Sequence, residues 1–153
     1  MNAQTNKKGF TIIEVVLVLA IAALIFLMIF IAFPALSRGQ ANTSRKNDAS
    51  AIAAAINTYR TNHNGTLPDT YGDISPYIDK LAQLTLPDDA TGIATGAGTI
   101  TTSDNSALDT VIIRTSAKCD DNNEAVAGSR RQAAVLTVLE ISQNKYESFC
   151  NNA

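Results

Sequence analysis

The sequence has little of what catalysis usually requires. It contains one histidine, His63, and no tryptophan. A lone histidine followed by Asn64-Gly65 builds no Ser-His-Asp or Cys-His set; it reads as a capping or solvated residue at a helix end. The two cysteines, Cys119 and Cys150, lack the close spacing of a zinc site. Gly92, Gly96 and Gly98 sit in a Thr/Ala stretch with no lysine after them, which excludes a phosphate-binding loop. Basic excess is missing as well. From Ser37 onward ten Lys or Arg stand against thirteen Asp or Glu. Nucleic acid is therefore not expected as the main partner, because phosphate backbones demand a basic footprint. Neither an enzyme nor a cofactor is implied.

What the chain does have is concentrated at its start. Residues 15–36 form a run of 22 positions without a polar side chain, and Ser37 ends it. A membrane-crossing helix needs about 20 apolar residues, so a span is feasible. The run is too long for the apolar part of an ordinary secretory signal, about 7–15 residues, and Ala35-Leu36-Ser37 is a poor cleavage site. Lys7 and Lys8 precede it. That positive flank keeps the N-terminus in the cytoplasm and sends the rest of the chain across, in a single pass.

Glu14 does not fit a plain anchor. It stands between Ile13 and Val15, and no Lys or Arg occurs between Gly9 and Arg38. An acid at membrane depth costs about 2.5–3.5 kcal/mol near the centre and less at the edge, so a partner is expected. A cut after Gly9 would supply one, because Phe10 would then carry a charged α-amine one helical turn away or in a neighbouring copy. Glu14 also sits at the positive end of the helix dipole. Snorkelling to the interface is the alternative for this residue alone.

The string Lys7-Lys8-Gly9-Phe10-Thr11-Ile12-Ile13-Glu14-Val15, with the apolar run behind it, resembles the prepilin signal of the type IV pilin and pseudopilin family. The resemblance implies a leader of residues 1–9, removed by a prepilin peptidase that cuts after Gly9 and methylates Phe10. Glu14 becomes the assembly residue. Residues 10–36 become the transmembrane and polymerisation helix, and residues 37–153 a periplasmic or extracellular head. The expected product is a helical filament of many copies, built with a pilus assembly platform and other pilins from a pool in the cytoplasmic (inner) membrane. Such filaments serve adhesion, twitching motility, DNA uptake or secretion. A non-polymerising membrane protein with an extracytoplasmic ligand-binding head is the competing reading, and a tethered enzyme a third.

The remaining sequence predicts an α+β head, with a helix over 37–62, a loop over 63–107 and an antiparallel sheet over 108–150. Ala49, Ile52, Ala53, Ile56 and Tyr59 form one apolar stripe at helical spacing, with Arg45, Lys46, Asp48, Asn57 and Arg60 mostly outside it. Pro34 removes a backbone bond and should kink the helix; family members use such a bend in packing, whereas prolines are also common in ordinary membrane helices. Ser75-Pro76 reads as the start of a short helix through Leu84, and residues 87–107 as a mobile surface loop with Ile93 and Ile100 pinned. Strands are expected over about 108–115, 132–140 and 145–150, the last two joined by a turn at Ser142-Gln143-Asn144. If the head faces an oxidising compartment, Cys119 and Cys150 pair. In a simple meander the first and third strands lie about 10 Å apart, so the segment after the first strand should fold back to bring Cys119 to Cys150. Asp120, Asp121 and Glu124 are either calcium ligands or a solvated turn, and they lack EF-hand spacing. Arg130-Arg131 either touches DNA or marks an exposed start of a strand.

Overall fold

A computed structural model describes residues 9–102 and 105–153. The helix α1 runs Ile12–Asn62, and Pro34 lies inside it. The chain divides into two compact units, Met1–Ser37 and Arg38–Ala153. In the first, α1 carries its apolar side chains outward: Phe26, Met28, Phe30 and Ile31 are all exposed. Among the described residues, α1 is the one helix long and apolar enough to cross a membrane by length and composition.

The second unit is an α+β head. Its strands are β1 (Ala94–Thr95), β2 (Val111–Thr115), β3 (Ala117–Cys119), β4 (Ala125–Ala127), β5 (Ala133–Ser142) and β6 (Lys145–Asn152). The main sheet has the order β1-β2-β5-β6. β5 pairs antiparallel with β2 and β6, while the two-residue β1 joins β2 in parallel, which makes the sheet mixed rather than purely antiparallel. β3 and β4 form a separate two-stranded hairpin.

Both faces of the sheet are covered. Ala49, Ile52, Ala53 and Ile56 of α1 pack against Val111 and Ile113 of β2 and Ala133 and Val135 of β5. On the opposite face Ala134, Leu136 and Val138 pack with Ala117, Ala125 and Ile100. This explains why seven successive β5 residues, Ala133 to Leu139, are all buried. A strand with one wet face alternates; a strand covered twice does not. The second layer was not expected. Its strands are three residues long and built largely from alanine, too short to show a period.

Two charged residues expected on the wet side of the helix are buried instead. Asp48 accepts backbone N–H bonds from Ala82, Gln83 and Leu84 at 2.7–3.0 Å. Those bonds hold 82–84 in a non-helical loop, and only a 3-10 turn, Ser75–Tyr77, forms where a longer helix was expected. Arg45 donates from Nε to the Leu108 carbonyl at 2.9 Å and lies 3.6 Å from the Asp109 carboxylate. One turn earlier, the Asn42 amide donates to the Glu140 carbonyl at 2.8 Å and accepts from the Glu140 N–H at 3.1 Å. Buried polar groups satisfied in this way specify where the helix docks, because an unmatched donor or acceptor there is costly. Helix hydroxyls are also satisfied: Thr43, Ser50, Thr58 and Thr61 donate to the carbonyl four residues back.

The described residues of the long connection 63–107 are stitched to the head. Isolated bridges join Thr70 to Gly92, Thr85 to Thr110 and Gly98 to Ala125. Ile100 is buried and Ile93 half-buried. The Tyr71 hydroxyl accepts the Ile113 N–H at 3.1 Å, and burial raises its pKa above the ordinary value. Gly72 has no room for a side chain, since a Cβ would stand 2.9 Å from the Asp89 carbonyl.

Candidate functional site

The residues singled out at the N-terminus meet within one turn. Thr11 precedes the first helical residue, and Glu14 is the third. The Thr11 N–H donates to the Glu14 carboxylate at 2.8 Å and its hydroxyl at 2.7 Å, while the Glu14 N–H reaches the Thr11 hydroxyl at 3.3 Å. This is a reciprocal capping box. It satisfies helix-end donors that would otherwise be orphaned, and it places a negative charge at the positive pole of the helix. Thr11 was missed as a partner of Glu14, although the signal was legible: a threonine three residues before a glutamate, ahead of an apolar run.

Gly9 and Phe10 lie ahead of the cap in irregular, exposed backbone. Phe10 is 90% exposed. A Cβ added at Gly9 would meet nothing within 4 Å, so none of the described residues demands glycine there. Beside the cap, Phe10, Glu14, Val15, Val18 and Leu19 line an open groove of about 490 Å³. Lys7 and Lys8, and the other residues before Gly9, fall outside the described residues.

The other candidates are spread through the chain. Cys119 and Cys150 are joined by a disulfide, with Cα atoms 5.6 Å apart. The β3–β4 hairpin is the fold-back that makes this possible: it carries Cys119 out of the sheet, over the end of β6, where the Cys119 N–H donates to Asn152 at 2.7 Å. Asp120, Asp121 and Glu124 lie at the tip of that hairpin without converging. Asp120 accepts from the N–H groups of Glu124 at 2.8 Å and Asn122 at 3.0 Å. Those bonds, the one from Glu124 foremost, hold its carboxyl below the ordinary range. Among the described residues, no three His, Cys, Asp or Glu side chains are grouped to hold a metal. His63 stacks on Tyr59, ring centroids 3.9 Å apart, and its Nδ1 lies 2.9 Å from the Tyr59 carbonyl.

Comparison with known proteins bears on the N-terminus alone. No curated protein and no solved structure matches the chain. Residues 4–30 match the family model described as the prokaryotic N-terminal methylation motif, and the span takes in Gly9, Phe10, Thr11 and Glu14. The chain thus carries, over that segment, the N-terminal methylation motif, the class of signal peptide found on type IV pilins.

Proposed function

We propose that the chain is a structural subunit of a type IV pilus or related filament, cleaved between Gly9 and Phe10, methylated at Phe10 and polymerised through the first part of α1. The observation that carries this reading is the pairing of an exposed Gly9-Phe10 segment with a capped, negatively charged helix start. That start opens onto an apolar surface that no described residue of its own chain covers. Because none of the described residues forbids a side chain at Gly9, a glycine requirement would come from the peptidase that grips the bond.

In this mechanism the membrane holds the subunit until assembly. Cleavage creates a positive amine at Phe10 beside Glu14. Within an apolar bundle an unpaired charge is costly and a paired one is directional. An incoming subunit that sets its amine against a Glu14 already in place would gain a defined axial register. The groove beside Glu14 offers an apolar seat for the neighbouring helix. Pro34 would supply a bend or melting point within the packed helices. The assembled filament lies outside the cell, and prepilin peptidase, the assembly platform and other pilins are the partners. Adhesion, motility, DNA uptake and secretion are the processes such a filament serves.

The test has two arms. Gly9→Leu should leave the leader attached, read by immunoblot. Glu14→Val should keep processing intact while surface filaments recovered by shearing fall sharply. Equal filament yield from Glu14→Val would remove the register role. A mature chain that still begins at Met1 would overturn the whole reading and favour a non-polymerising membrane protein.

A further inference from the structure

The far end of α1 holds a feature apart from the N-terminal motif. Arg60, Thr61, Asn64, Gly65 and Arg131 line an open cleft of about 530 Å³ where the helix ends and β5 is about to begin. Arg60 donates from Nη1 to the Arg131 carbonyl at 2.6 Å and from Nη2 to Asn57 at 2.6 Å, which brings two arginines together. The Arg131 guanidinium lies against the bare face of Gly65, its Cζ 3.8 Å from where a Cβ would stand. Gly65 has φ +87°, which favours glycine, so that face stays uncovered.

Among the described residues the guanidinium of Arg131 makes no hydrogen bond, and the ion pair present, Arg45–Asp109, involves neither Arg131, Arg130 nor Arg60. No carboxylate is among the residues that line the cleft. Five fork-arranged donors on Arg131 match an oxyanion, which they can grip with two parallel bonds. Thr61 already donates to the Asn57 carbonyl, so its oxygen remains an acceptor, and the Asn64 amide adds both a donor and an acceptor. Such groups suit hydroxyls. The volume lies within the range of pockets for small molecules.

We propose that this cleft binds a monosaccharide-sized anion, with its carboxylate or phosphate on Arg131 and its hydroxyls on Thr61 and Asn64. The site stands independently of the filament reading.

The full chain in uncharged detergent micelles would be titrated with glucuronate, a hexose phosphate and glucose at matched chloride. The amide signals of Asn64 and Gly65 would be followed. Saturable shifts with an anionic sugar and none with glucose are expected, and the tighter of the two anions identifies whether carboxylate or phosphate is preferred. Arg131→Gln keeps the carbonyl that Arg60 uses, and it should weaken binding at least about tenfold, the worth of one charge-assisted contact. Arg130→Gln should bind like the parent. Unchanged Ile113 and Leu84 amides would verify that the variants are folded. Equal responses to glucose or chloride, undiminished binding by Arg131→Gln, or capture of heparin or duplex DNA alone would overturn the proposal.

Discussion

The two stretches of α1 on either side of Ser37 use the same backbone for opposite purposes. Before it, apolar side chains cover the whole circumference and none of the most hydrophobic window is buried within the chain. After it, Ala49, Ile52, Ala53 and Ile56 are at most 5% exposed, and polar residues hold the flanks. A helix apolar all round needs surroundings supplied from outside, and an amphipathic one brings its own partner. The difference separates the stretch that stabilises the head from the stretch that needs surroundings from outside.

Substitution tests that separation. Ile52→Ala should cost the head about 4 kcal/mol, since the buried residue leaves a cavity under β2 and β5. Ile25→Ala, a similar cut on the exposed run, should leave unfolding of the head in detergent unchanged. Urea titration followed by tyrosine near-UV circular dichroism would measure both, and a matching loss from Ile25→Ala would break the comparison. Next in size is the disulfide. Replacing Cys119 and Cys150 together with serine should cost about 3.5 kcal/mol, given a sequence separation of 31 residues in the chain-entropy model. Alkylation before and after reduction would check that the thiols are protected in the native chain.

Asp48→Asn should follow, at about 2 kcal/mol, because a neutral amide cannot receive three backbone donors as a carboxylate does. Amide exchange at Ala82, Gln83 and Leu84 should accelerate ahead of exchange in β5. The smallest effect concerns Asp73. The backbone N–H of Thr70 chiefly, with that of Asp69, holds its carboxyl below its ordinary value of 3.8. Its contribution to stability is therefore complete above the ordinary value and is lost as pH falls through the lowered one. Asp73→Asn should flatten that part of the acid unfolding curve without moving the midpoint in urea near neutrality by more than a small amount.

Much of this arrangement was legible because it is local. The capping signal, the apolar run, the Ala49-to-Ile56 stripe and the strands through Val111, Val135 and Tyr146 each declare themselves within a few residues. The folding back of Cys119 followed from strand spacing. What stayed hidden depends on distant partners. The burial of Asp48 requires donors 34–36 residues away, and that of Arg45 a carbonyl 63 residues away. β1 is two residues long and its pairing with β2 is set by the loop that carries it. The unbroken burial of β5 did leave a trace, since Ala133-Ala134-Val135-Leu136-Thr137-Val138-Leu139 shows no polar alternation. That trace means two covered faces, and it was compatible with one.

Asn42, Arg45 and Asp48 follow one another at three-residue steps and hold three different segments: β5, the turn at 108–109 and the loop at 82–84. Tension entering the head at Arg38 would reach these polar clamps before it reached Ile52 or Ile56. Loaded along the helix, the clamps would shear together and spread the pull over segments far apart in sequence. Asp48→Asn should then lower the rupture force in single-molecule pulling more than its equilibrium cost implies; equal rupture forces would refute this. A head gripped in this way is suited to carry load along its helix, whatever the load is for.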